Sequence, residues 1–264
     1  MAGEIWIVGG VAAAGALASP IGGALALWRQ PTSLFMSLAL GFAAGVLLAT
    51  IGLEMMPKAL ELGSVPIAAG GFAAGMGAVY GLDLWTHRGR MAGPKADQCG
   101  DVRRFHSGHP SRASDAAVLA GGTSAEELIE GLSIGIGAAI DSRIGIMIAL
   151  AIVIDNVAEA LSIGTLMRSE ESDATKHRRR ILGWTGLIGL SLLVSTLAGW
   201  FLLRDMPKPA LGFLFAAGAG GMFYLTVSQL VPDAEERHYQ QSAALAAAAG
   251  FVLIFVLSNL VGGE

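Results

Sequence analysis

An all-α, polytopic membrane protein is the fold class this sequence predicts, and three observations carry it. The 264 residues are 53% hydrophobic and 14% charged, with a mean hydropathy of +0.60, whereas a soluble domain is nearer a quarter charged. Apolar runs of about 20 residues, the length that crosses about 30 Å of hydrocarbon, recur along the whole chain. The 37 glycines sit inside those runs, where membrane helices tolerate and use them. A single cysteine, Cys99, excludes a disulfide framework and a thiolate metal cluster.

Eight spans follow in order: Ile5–Trp28, Leu34–Met56, Val65–Trp85, Val118–Ile140, Ile144–Met167, Ile181–Leu203, Ala210–Val231 and Ala243–Val261. The first is too long, and too free of basic residues ahead of its apolar stretch, for a cleaved signal peptide. Arg29-Gln30-Pro31, Met56-Pro57-Lys58, Pro207-Lys208-Pro209 and Val231-Pro232-Asp233 punctuate the boundaries. Together they predict one transmembrane domain over residues 1–264.

Orientation rests on Lys and Arg alone. Alternate connections hold Arg29, then Arg88, Arg90, Lys95, Arg103, Arg104 and Arg112, then Arg168, Lys176, Arg178, Arg179 and Arg180, then Arg237, thirteen in all. The other side holds four: Lys58, Arg143, Arg204 and Lys208. The connection between spans three and four is therefore cytoplasmic, and both termini lie outside the cytoplasm of a cell (inner) membrane. That connection, residues 86–117, mixes Gly, Pro, Ser, Asp and Arg without apolar periodicity and reads as a flexible loop. His87, Cys99, His106 and His109 lie in it without fixed finger-like spacing, so a solvated loop with incidental histidines is the simpler reading.

Two internal similarities point to the middle of the bundle. Glu126-Glu127-Leu128-Ile129-Glu130-Gly131-Leu132-Ser133-Ile134-Gly135 in span four matches Asp155-Asn156-Val157-Ala158-Glu159-Ala160-Leu161-Ser162-Ile163-Gly164 in span five, at an offset of 29 residues. In spans two and seven, Ala44-Gly45 precedes Pro57-Lys58-Ala59 by the interval at which Ala219-Gly220 precedes Pro232-Asp233-Ala234. Three residues before each proline stands a polar group, Glu54 or Gln229. The pairs four/five and two/seven fall symmetrically about the chain's centre, the mark of an inverted-repeat (3+2+3) transporter with its site near the midplane.

Spans four and five carry Glu126, Glu127, Glu130, Asp155 and Glu159 with no Lys or Arg. An ionised acid at the bilayer centre costs roughly 2.5–3.5 kcal/mol, so three or four unpaired would approach a protein's whole stability margin. Protonation, cavity water or a bound cation must relieve them. Residues four apart share a helix face, so Glu126 with Glu130, and Asp155 with Glu159, each form a two-pronged ledge. Glu127 with Glu130, and Asn156 with Glu159, form a second ledge rotated slightly around the same helix. Facing helices would gather these oxygens, with Ser133 or Ser162 beside them, into a divalent-cation cage; Glu127 has the alternative of a solvated vestibule. The pairs Gly131/Gly135 and Ala160/Gly164 are expected to let the two backbones approach closely beside the carboxylates. Protons compete with a metal for such groups, so uptake is expected to fall at low external pH.

A proton relay also uses intramembrane acids, but it does not need two matched pairs plus an amide. An enzyme is not indicated. His-Glu-x-x-His is absent, and Gly131-Leu132-Ser133-Ile134-Gly135 fits a nucleophile-elbow pattern only in letters, because it lies mid-helix. No nucleotide-binding loop is present, and nothing points to a nucleic acid. The partners are metal ions and the bilayer, with a homodimer left open.

These residues resemble the ZIP (Zrt/Irt-like) family of divalent metal transporters over the whole chain. The family's fourth-span motif, His-Asn-x-x-Glu-Gly, reads here Glu126-Glu127-Leu128-Ile129-Glu130-Gly131. Its fifth-span motif, with His or Gln first, reads Asp155-Asn156-Val157-Ala158-Glu159-Ala160. The resemblance implies uptake toward the cytoplasm by rigid rocking of one bundle against another. It implies Glu126, Glu127, Glu130, Asp155, Asn156 and Glu159 as ligands, with Glu54, Gln229, Ser133 and Ser162 secondary along the pathway. Both motif histidines are replaced by acids. Leu192 stands where two-metal members carry a span-six glutamate, and Val46 or Leu47 where some carry a methionine ligand. All-oxygen sites lean toward Mn²⁺ and Fe²⁺, while carboxylates also bind Zn²⁺. The substrate is therefore expected among Mn²⁺, Fe²⁺, Zn²⁺ and Cd²⁺, with zinc selectivity relaxed. A family member that binds metal without transporting it is the alternative.

Overall fold

The computed structural model describes residues 2–86, 115–170, 173–235 and 239–262. Among these the chain is helical, without a strand. The helices are α1 (Ala2–Trp28), α2 (Ser33–Leu62), α3 (Val65–Thr86), α4 (Asp115–Ile140), α5 (Ser142–Glu170), α6 (Ala174–Leu203), α7 (Lys208–Glu235) and α8 (Gln240–Gly262). Local chemistry sets several ends. Thr32 accepts a hydrogen bond from the Phe35 amide at 3.2 Å, and Asp173 accepts from the Thr175 and Lys176 amides, each satisfying donors a helix start leaves orphaned. Pro207 and Pro209 flank the first residue of α7, where a missing N–H costs nothing.

Seven of these helices are long and apolar enough to cross a membrane. The exception is α4, expected as the fourth span; its 26 residues suffice in length, but Glu126, Glu127 and Glu130 lower its apolar character. It is sheltered by protein, packing against α5, α6 and α7. The ends of the expected loop are also helical, Thr86 closing α3 and Asp115–Ala117 opening α4. Residues 87–114, with His87, Cys99, His106 and His109, lie outside the described residues.

The prolines expected to end spans two and seven do not end them. Each helix runs on, to Leu62 and to Glu235. Just before each proline the helix widens into a π turn, Ile51–Met55 in α2 and Thr226–Leu230 in α7. The Met56 amide reaches the Ile51 carbonyl, and the Val231 amide the Thr226 carbonyl. A proline ring clashes with the carbonyl one turn back in a tight helix; a wider turn makes room for it.

Helices pair as α2 with α8, α3 with α7, α1 with α5 and α4 with α6, with α2 and α5 innermost. Glycine permits the closest crossings. A Cβ at Gly45 would strike the Ala247 carbonyl oxygen, and one at Gly220 the Phe72 carbonyl oxygen. The small residues of the two decapeptides also serve close packing, but not between α4 and α5 as expected. Gly131 and Gly135 lie against Ser195 and Thr196 of α6, while Gly22 and Ala26 of α1 lie against Ala160 and Gly164 of α5. One residue of helix is about 100° of rotation, so the small face stands away from the carboxylate face. Phe215, Met36, Leu40, Met55, Ile148 and Ile152 are among the largest fully buried side chains of the bundle.

Candidate metal centre

The four-residue spacing of the acids works as helix geometry requires. Glu126 and Glu130 of α4, and Asp155 and Glu159 of α5, line a single cavity of about 40 Å³. Leu40 and Leu47 of α2 and the π turn of α7, with Thr226 and Gln229, complete its wall, and Asp233 stands toward the end of α7. That volume admits an ion with a water or two and little else.

Glu127 and Asn156 do not line the cavity but bond to each other. The Asn156 amide donates to Glu127 Oε2 at 3.1 Å across the α4–α5 contact, behind the cavity wall. Glu127 is only 1% exposed, which removes the vestibule alternative. Ser195 of α6 donates to the Glu127 main-chain oxygen, fixing the helix at this turn. Gln229 donates to Glu126 Oε1 at 2.8 Å, and Thr123 to Glu159 Oε1 at 2.9 Å. Each outer carboxylate is thus oriented by a neutral donor.

The inner carboxylates keep oxygens without a hydrogen-bond partner: Glu127 Oε1, Glu130 Oε2 and Asp155 Oδ1 are buried and unsatisfied. Such groups are costly in an apolar interior unless a cation or proton meets them. Among the described residues no three His, Cys, Asp or Glu side chains stand close enough to form a ready coordination sphere. The expected cage therefore has its acids on one cavity but not closed on one point. The amide and hydroxyl donors engage one oxygen each of Glu126 and Glu159, as hydrogen bonds to ligating carboxylates do.

Of the secondary residues, Gln229 and Ser162 line the cavity. Ser133 does not; its hydroxyl bonds the Ile129 carbonyl of its own helix at 2.8 Å. Glu54 is 7% exposed and lies away from the cavity, 3.9 Å from an Arg143 nitrogen. Thr123, Thr226 and Asp233 were not singled out from sequence. Thr123 stands three residues before Glu126 in a stretch without the repeat's signature, and Thr226 and Asp233 become neighbours of the acids only through the packing of α7.

The family model for ZIP zinc transporters matches residues 4–258. The chain belongs to the ZIP zinc transporter family. It is 30% identical over 214 residues to proteins named zinc transporter ZupT from Salmonella paratyphi A, Salmonella newport and Salmonella enteritidis PT4, covering 80% of this chain and 79% of each relative. The match spans the two decapeptides, so the ZIP resemblance read from the motifs holds for the whole chain. Within the family frame, acids occupy both positions where the motif expects an imidazole, and each lines the cavity.

Proposed function

We propose that the chain is a divalent metal cation transporter that carries its substrate into the cytoplasm through the carboxylate cavity between α4 and α5. It takes Mn²⁺ or Fe²⁺, or a broad set that includes Zn²⁺ and Cd²⁺. The observation that carries this reading is the set of buried oxygens on Glu127, Glu130 and Asp155 that no protein donor satisfies, beside a cavity sized for one ion. A doubly charged ion offsets several of them at once, which one proton cannot. The ligand chemistry supports the metal choice: oxygen donors without imidazole or thiolate favour harder cations. The relatives are named zinc transporters, and carboxylate also binds zinc, so zinc remains within the set.

Transport, rather than binding alone, is supported by internal symmetry. The offset of 175 residues that carries Pro57 to Pro232 also carries the π turn Ile51–Met55 onto Thr226–Leu230. The same offset exchanges the Gly45–Ala247 crossing with Gly220–Phe72, and Gly75–Ala217 with Gly250–Phe42. Spans two and seven cross the membrane in opposite directions, so equal chain direction means inverted placement. In the orientation proposed from Lys and Arg, the cavity lies on the cytoplasmic half and Glu54 on the outer half.

The test is metal influx into proteoliposomes holding the purified protein, with Mn²⁺, Fe²⁺, Zn²⁺ and Cd²⁺ in competition. The wild type should carry Mn²⁺ or Fe²⁺ at least as well as Zn²⁺. Glu126→His with Asp155→His should shift the preference toward Zn²⁺, because imidazole suits that ion. An unchanged competition profile in the double variant overturns the ligand assignment, and influx no greater than into empty vesicles overturns transport.

A further inference from the structure

Glu54 is buried in the π turn of α2, yet Oε1 accepts no hydrogen bond. Its counterpart under the repeat offset, Gln229, lines the cavity on the other half of the protein. Leu47 is the last cavity residue of α2, and Glu54 is seven residues beyond it, about 10 Å further along the helix axis. The cation facing Glu54 comes from α5, where an Arg143 guanidinium nitrogen stands 3.9 Å from Oε1. That separation is beyond hydrogen-bond range. The guanidinium instead donates to the Ser258 carbonyl of α8, and Arg143 Nε is left without a partner. The arginine is tethered elsewhere and is only electrostatically engaged with the acid, a pair that separates without breaking a hydrogen bond. At this level Ser133 of α4 and Met55 of α2 stand beside Gly218 of α7, and Met55 is fully buried.

We propose that Arg143 is a specificity-determining gate: beside Glu54 its guanidinium occupies the place a divalent cation takes on its way to the cavity, and an arriving ion displaces it. This rests on the transport reading above and adds a residue outside both metal motifs. A doubly charged ion competes with a single guanidinium charge for Glu54, whereas a monovalent ion gains no such advantage. The guanidinium keeps its bond to Ser258 as it moves off the acid, and Glu54 is left facing the ion.

The experiment is Zn²⁺ and Mn²⁺ influx into proteoliposomes by the wild type, Glu54→Gln, Arg143→Gln, Arg143→Lys and the Glu54→Gln/Arg143→Gln double variant, with Glu130→Ala as the flux-dead control. Metal-free melting is recorded for each. Glu54→Gln should raise KM about threefold or more, Arg143→Gln should lower it by a similar factor, and in the double variant the arginine change should no longer matter, the non-additivity of a contacting pair. Arg143→Lys, which keeps the charge, should stay near the wild-type KM. A purely structural tie to Ser258 predicts otherwise: both arginine variants melt lower and lose kcat at constant KM, and that result overturns the gate. So does an unchanged KM in Glu54→Gln, a variant that leaves the Ser258 tether intact and so stands even if Arg143→Gln fails to fold. Wild-type flux no greater than into empty vesicles overturns the transport reading itself, a failure recognisable before any gate variant is compared.

Discussion

Glu130→Ala should abolish metal-dependent stabilisation of the purified protein. A single-site ligand at about 100 times its Kd stabilises the folded state by about 2.7 kcal/mol, which in a chain of this size moves a melting temperature by about 5 °C or more. Wild-type protein titrated with Mn²⁺ in detergent should show that shift. Glu130, like Asp155, is placed to matter because it lines the cavity, is buried, and holds an oxygen no protein group satisfies. Loss of even an outer-sphere partner lowers metal affinity by about 10–100-fold, so loss of a ligand at the cavity should cost on the order of 100-fold or more. Glu130→Gln keeps shape and volume while removing the charge, and should lose the shift equally. Full stabilisation of either variant would place the ion elsewhere.

Gly45→Ala and Gly220→Ala should each lower the metal-free melting temperature markedly. Each added methyl would meet a carbonyl oxygen of a neighbouring helix, Ala247 or Phe72, and backbone cannot rotate aside as a side chain can. Overpacking of this kind costs about 1–3 kcal/mol, or roughly 3–10 °C here. Gly70→Ala and Gly77→Ala are the controls. A Cβ there meets nothing within 4 Å, and alanine gains up to about 1 kcal/mol in helix propensity, so both should melt at or above the wild type. Equal losses at all four positions would trace the effect to glycine flexibility rather than to helix contact. Because α2 and α7 also supply cavity wall, the first two substitutions should weaken Mn²⁺ stabilisation as well.

The acids were legible in sequence because the rule that groups them, four residues to a helical turn, is local. Glu126 with Glu130 and Asp155 with Glu159 needed only that periodicity to be placed on common ledges, and all four line the cavity. Which neighbour a face meets is not local. Gly131 and Gly135 were recognisable as a close-packing pair, but not as the seat of α6. The π turns left a trace in the prolines, which as isolated residues read as helix ends; only a helix held on both sides keeps going past them. Arg143 carried no motif, and it gains meaning solely through the fold that brings α5 beside the end of α2.

The bond between Asn156 and Glu127 joins residues that hold the same place in the two matching decapeptides. Such a meeting point forbids identity. Two glutamates would set like charges a few ångströms apart, and two asparagines would deprive the centre of an anion. The two matching segments therefore differ here to mutual advantage, one supplying the donor and the other the acceptor.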